Sequence, residues 1–134
     1  MSQEIRNIST AVTHDVQVVV RCRYLNDRSQ PGQQRYVFAY SVRIENQGEV
    51  PVQLVGRHWI VTDSTGKIDE VRGEGVVGEQ PWLRPGKHFE YTSGVVLSVP
   101  RGQMHGSYHM VRADGRAFDA RVAPFLLSQP HSLN

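Results

Sequence analysis

The sequence predicts an all-β fold, an antiparallel β-sandwich of about seven strands, and three observations carry that prediction. Apolar residues recur with a period of two along most of the chain. No segment of ten or more residues shows the 3-and-4 apolar spacing of a helix. Clusters of Gly, Pro, Asn and Asp separate the periodic runs at short intervals, as turns between strands require.

The elements follow in order. Val16, Val18, Val20, Cys22 and Tyr24 alternate with Gln17, Val19, Arg21 and Arg23, a half-buried first strand. The polar stretch Asn26 to Gln34 is a loop. Tyr36, Phe38, Tyr40, Val42 and Ile44 alternate through the second strand, and Asn46-Gln47-Gly48-Glu49 turns the chain. The third strand runs from about Val52 to Thr62. Strict alternation puts Val55, Arg57, Trp59 and Val61 on one face, and Leu54, His58 and Ile60 on the other. A turn at Asp63 to Gly66 leads into a short fourth strand, Lys67 to Val71. A fifth, Lys87 to Thr92, follows the breaker Arg84-Pro85-Gly86. Met104, Gly106, Tyr108 and Met110 share a face of the sixth. Asp114-Gly115 is a hairpin signal. The seventh strand carries Phe118, Ala120 and Val122 and is expected to stop at Pro124. The expectation is a single domain over residues 1–134, with its core in 14–127 and loose ends at 1–12 and 128–134. Trp59 in mid-strand suits an immunoglobulin-like sandwich. The single cysteine, Cys22, excludes the inter-sheet disulfide and selects a fibronectin type III-like form.

Composition limits function. Of 134 residues, 39% are hydrophobic and 21% charged, which supports a packed core. The longest apolar runs are a few residues, whereas a helical membrane span needs about 20. The N-terminus lacks the apolar stretch of a signal peptide, so the expected location is cytoplasmic. Charge is even: residues 1–67 carry 8 basic and 6 acidic side chains, and residues 68–134 carry 7 and 7. No basic stripe of the kind nucleic-acid binding needs emerges. One cysteine excludes a multi-cysteine zinc site, and Cys22 reads as an inert core residue.

No catalytic constellation is found. The G-x-S-x-G elbow and the G-K-[ST] phosphate loop are absent. His105 and His109 have H-x3-H spacing, but on a strand they lie about 13 Å apart, too far for one metal. A metal would need partners from neighbouring strands, such as His88 or Glu90. Gly73-Glu74-Gly75-Val76-Val77-Gly78 matches G-x-G-x-x-G. In a dinucleotide site a helix must begin inside that motif so that its N-terminus can hold the pyrophosphate. Here Pro81 follows and no helical period appears. Residues 69–80 hold Asp69, Glu70, Glu74 and Glu79 against Arg72, a net charge of 1 − 4 = −3. The bland reading is a loop that needs positive φ. The sharper reading is a backbone anion nest. Trp82, next to Pro81, is either a lid on the sandwich edge or an exposed anchor for a partner, and the lid is the expectation.

Several stretches together resemble the bacterial ApaG family. They are Gly56-Arg57-His58-Trp59-Ile60-Val61-Thr62-Asp63, the block from Val71 to Pro81, Leu83-Arg84-Pro85-Gly86 and Tyr91-Thr92-Ser93-Gly94. Further on come Met104-x-Gly106-x-Tyr108-x-Met110 and Asp114-Gly115-x-x-Phe118, so the resemblance runs from about His14 to Leu127. It implies a fibronectin type III-like sandwich. It also implies a label of cobalt and magnesium efflux, a genetic neighbourhood with diadenosine tetraphosphate hydrolysis, and a reading of the glycine motif as a nucleotide or pyrophosphate signal. Similar domains in F-box proteins and in a DNA polymerase delta-interacting protein imply protein binding. A chain without a helical span cannot itself form a transport path, so an efflux phenotype would require an accessory role.

The resulting expectation is a non-enzymatic protein- or ligand-binding module without a resident cofactor or metal. Its candidate contact residues are Arg72, Gly73, Gly75, Gly78 and Trp82. The alternative is a nucleotide- or pyrophosphate-binding protein using the Gly73–Gly78 loop. A divalent metal is a further candidate ligand, and sandwich edges can pair, which admits a homodimer.

Overall fold

The computed structural model describes residues 4–130. Among the described residues nine strands follow one another: β1 Ile8–Thr13, β2 Val16–Tyr24, β3 Tyr36–Asn46, β4 Val52–Asp63, β5 Ile68–Glu74, β6 Trp82–Leu83, β7 His88–Leu97, β8 Arg101–Arg112 and β9 Ala117–Ser128. Two antiparallel sheets form the sandwich, in the orders β1-β2-β3-β7 and β5-β4-β8-β9, with the short β6 also paired to β4. The fold is all-β, as the periodicity predicts, but two strands exceed the expected seven. One is β1, in the stretch expected to be loose, which pairs with β2 through a two-residue turn at His14 and Asp15. Both turn residues have positive φ, the geometry that matches the twist of a hairpin. The other is β6. Residues 1–3 and 131–134 of the expected loose ends lie outside the described residues. Ser128 ends β9, and Gln129 donates its N–H to the Pro100 carbonyl.

Two β-bulges correct the sequence reading. The β4–β8 register shifts between Leu54 and Gly56, so Val55 is an extra residue. Leu54 and Trp59 are therefore both buried, although strict alternation puts them on opposite faces. The β8–β9 register shifts between Met104 and Gly106. Ala123 and Pro124 occupy that irregularity, and β9 continues through Pro124 to Ser128 rather than stopping there. A bulge is where a strand tolerates a residue without an N–H. The shift also brings Phe125 and Leu127 onto the buried face that Ala120 and Val122 share.

Between the sheets lies an aromatic core. The Trp59 ring meets Tyr40, Tyr108 and Phe125 edge-on, with centroids 5.3 to 5.9 Å apart. The hydroxyls of Tyr91 and Tyr108 hydrogen-bond across the sandwich. Burial raises the pKa of Tyr40, Tyr91 and Tyr108 and pushes the Cys22 thiol up to about 12, so Cys22 is the buried, unreactive residue its period implies. Gly106 is the closest packing point: a Cβ there would stand 2.0 Å from the His58 carbonyl oxygen.

Candidate functional site

The glycine block forms the end of a hairpin that leaves β5. Gly73 lies in β5, opposite Arg57 of β4. The Arg57 guanidinium occupies the space where a Gly73 side chain would stand, within 2.7 Å of an ideal Cβ. From there Arg57 donates to the carbonyls of Glu74, at 3.2 Å, and Gly75, at 2.8 Å. Gly75 has φ +63° and an ideal Cβ only 2.4 Å from the Glu79 carbonyl oxygen. Val76 is fully buried and exchanges two backbone hydrogen bonds with Glu79, of 2.9 and 2.8 Å. Between them Val77 and Gly78 take φ of 43° and 80°, the doubly left-handed geometry of a tight hairpin turn. A β-branched residue in that region is strained. Val77 is nonetheless exposed at this tip.

Each glycine of the G-x-G-x-x-G motif thus has a role inside the chain. Gly73 makes room for Arg57, Gly75 allows the close approach of Glu79, and Gly78 takes the turn. The N–H groups of Gly75, Val76 and Glu79 are all donated to carbonyls of the chain, at Val55, Glu79 and Val76.

After the tip the chain returns to the edge of β4. The Leu54 N–H donates to the Pro81 carbonyl, and the Gln80 side chain donates to the Val55 carbonyl. Leu83 is buried opposite Val52, and Asn46 holds the Leu83 carbonyl at 3.0 Å. Asn46 is itself almost fully buried with its amide satisfied, since it also donates to Val50 and accepts from the Gly48 N–H. This anchorage decides Trp82. Its neighbour Leu83 points inward, so the alternation of β6 turns Trp82 outward, where it remains 54% exposed opposite Gln53. The expected lid is therefore corrected: Trp82 projects from the sheet rather than covering its edge.

Cross-strand register sets what surrounds Trp82 on the outer face of the five-stranded sheet. Gln53 pairs with Val111, and the next outward-facing row is Glu74, Gly56, His109 and Asp119. The row after that holds Arg72, His58, Ser107 and Arg121. A shallow groove runs between these two rows, lined by Gly56, Arg72, Glu74, Ser107 and Asp119 among others. Arg72 thus lies two rows, about 13 Å, from Trp82. Arg72 is largely exposed, 3.9 Å from Glu70. His58 Nε2 lies 3.4 Å from the Glu70 carboxylate but out of line for a hydrogen bond. His109 Nδ1 stands 3.0 Å from Asp119 Oδ1.

The His109–Asp119 pair and the reach of Arg57 are what the sequence reading missed. A signal for the pair was present, because a hairpin centred on Asp114 brings residues 109 and 119 face to face. His105 and His109 do share a strand, as expected, but the suggested partners His88 and Glu90 lie on β7 of the other sheet. Among the described residues, no three His, Cys, Asp or Glu side chains converge to hold a metal ion. No helix among them is long and apolar enough to cross a membrane.

Comparison with known proteins decides the family. The ApaG domain model matches residues 26–112. The chain belongs to the ApaG family. The protein ApaG of Anaeromyxobacter dehalogenans strain 2CP-C is 58% identical over 127 residues, 95% of this chain and 100% of that relative. Protein ApaG of Xanthomonas axonopodis pv. citri is 56% identical over 119 residues, 89% of this chain and 94% of that one. The crystal structure of a Bordetella pertussis protein designated ApaA superposes with a TM-score of 0.85 at 47% identity, covering 96% of this chain and all of that one. The C-terminal domain of Wzt, at 10% identity and a TM-score of 0.55, shares the fold alone. The ApaG block at Gly73 to Pro81 is therefore the tight hairpin and return just described. The stretch Gly56 to Asp63 lies in β4, the strand to which β5, β6 and β8 all pair.

Proposed function

We propose that this ApaG-family chain is a non-enzymatic binding module whose partner is a protein and whose central contact is Trp82. The observation that carries the reading is a half-exposed indole on a rigidly held backbone. Large aromatic side chains that stay exposed on fixed positions are the usual anchors of protein interfaces, because burying them releases much apolar area at small entropic cost. Leu83, Asn46 and the Gln80 contact fix the backbone on either side of Trp82. The strained Val77 tip adds a second exposed apolar group on the same hairpin return. Strain held by the surrounding structure is a recurrent feature of binding loops. A link to cobalt or magnesium homeostasis fits this reading as a property of the partner, to which the chain would act as a helper. The nucleotide reading has less support, because three N–H groups of the hairpin are already donated within the chain.

The test compares tagged chain with its Trp82→Ala variant, recovered from cells producing each at the same level. The expected result is an unchanged thermal midpoint and the loss of a specific co-purified protein. Equal recovery of that protein with both chains overturns the proposal, as does turnover of a dinucleoside polyphosphate by the pure chain.

A further inference from the structure

We propose that β5 pairs with β5 of a second copy of this chain, antiparallel about a two-fold axis through Val71, joining two five-stranded sheets into one. The starting point is an open edge. At the other side of the molecule β9 is covered: the Arg121 N–H donates to Thr13 Oγ1 and the Leu126 N–H to the Arg6 carbonyl. Nothing among the described residues covers β5. Both of its faces are open to solvent, and Ile68 and Val71 are exposed at 62% and 46%.

Hydrogen bonding sets which residues a second strand would meet. Asp63 donates to the Lys67 carbonyl and Gly75 to the Val55 carbonyl, so the odd-numbered residues of this stretch face β4. The backbone groups of Ile68, Glu70, Arg72 and Glu74 therefore point to the open edge. Two copies related by a two-fold axis, with their sheets continuous, must pair residues whose numbers have an even sum. A centre at Glu70 opposes two glutamates, and a centre at Arg72 opposes two arginines and sets Glu70 against Glu74. A centre at Val71 pairs all seven residues of the strand and brings no like charges together.

In that register every charged position near the centre finds its complement. Glu70 faces Arg72 of the second copy, and Arg72 faces its Glu70, on the outer side. On the inner side Asp69 of the second copy faces Gly73, whose missing side chain leaves the Arg57 guanidinium in that space. Arg57 already reaches the open side of the strand to hold the Glu74 carbonyl. Four ion pairs thus flank a central Val71 contact. Edge strands that avoid pairing usually carry proline, a bulge or unmatched inward charges. Here the one inward acid, Asp69, has a waiting arginine. The interface is small, so the dimer is expected to dissociate on dilution.

Sedimentation of the full chain over a concentration series tests the pairing. The wild type is expected to show a monomer–dimer equilibrium. Glu70→Arg sets arginine against Arg72 twice, and Arg72→Glu sets glutamate against Glu70 twice. Each single variant is expected to weaken dimerisation at least about tenfold. An equimolar mixture of the two variants places opposite charges at both positions and is expected to recover the dimer as a heterodimer. Recovery on mixing excludes misfolding as the cause of the loss. Monomer at every concentration, or a dimer indifferent to both variants, overturns the proposal. Trp82→Ala is expected to leave the equilibrium unchanged, which separates this interface from the proposed partner site.

Discussion

Strand β4 has a neighbour on each side, and the two could hardly differ more. On one side β8 lies in the sheet interior, with Met104, Tyr108 and Met110 buried against the opposite sheet. On the other side β5 pairs with Gly56 to Thr62 of the same strand and buries almost nothing. Both neighbours depend on a glycine facing β4. At Gly106 a side chain would strike the His58 carbonyl, which belongs to the backbone and cannot move without breaking the ladder. At Gly73 it would strike the end of the Arg57 side chain, which can swing away. The lesson is that backbone pairing alone does not make a strand part of the core. What lies across the sandwich does: β8 faces aromatic side chains of the other sheet, and β5 overhangs.

The β8 side is the more sensitive of the two. Gly106→Ala is expected to cost about 3 kcal/mol or more, or to prevent folding, because relieving the contact means displacing β4 from β8. Urea unfolding monitored by Trp fluorescence checks this, and a loss below about 1 kcal/mol would show that the two strands can separate freely.

An intermediate effect is expected in alkali, again confined to the buried side. Cys22, Tyr40, Tyr91 and Tyr108 have folded pKa values raised above their unfolded values of 9.0 for Cys and 10.0 for Tyr, with burial as the first cause. The folded state therefore holds these protons longer than the unfolded one. Their contribution is complete below about pH 9 and is lost progressively as pH rises toward the folded values, by about 1.4 kcal/mol per pH unit for each titrating group. Urea midpoints across the alkaline range are expected to fall, and to fall less steeply in Tyr108→Phe. A flat profile up to pH 11 would contradict the burial of these hydroxyls.

The smallest effect belongs to β5. Gly73→Ala is expected to cost less than about 1 kcal/mol, since Arg57 can rotate out of the way. Amide hydrogen exchange in the same variant is expected to speed at Glu74 to Glu79, where Arg57 holds two carbonyls, and to stay unchanged in β8. A cost comparable to that of Gly106→Ala would mean that β5 is as firmly held as β8.

Much of the fold is legible in the sequence, and the failures share a cause. Strands β2 and β3 have clean alternation because one face of each is buried from Val16 to Cys22 and from Phe38 to Ile44. β4 and β9 lose that alternation at Val55 and at Ala123-Pro124. There a bulge adds a residue for reasons set by the neighbouring strand, not by local propensity. β1 carries Ser9, Thr10 and Thr13, a pattern too polar to announce a strand, and it forms because the β2 edge is available to it. The candidate residues show the same division. The positive φ of Gly75 and Gly78 is a local property that glycine itself suggests. The outward turn of Trp82, the seating of Arg57 over Gly73 and the facing of His109 with Asp119 are consequences of register.

The all-β class and most turn positions are written in the sequence because period and turn chemistry act over a few residues, and a single cysteine leaves no intrachain disulfide to form. That Gly73 and Gly106 are packing points, that Trp82 is exposed and that β5 is an open edge follow from how the strands pair. Each of those depends on atoms from strands distant in the chain, and a one-residue shift in pairing would have reversed it.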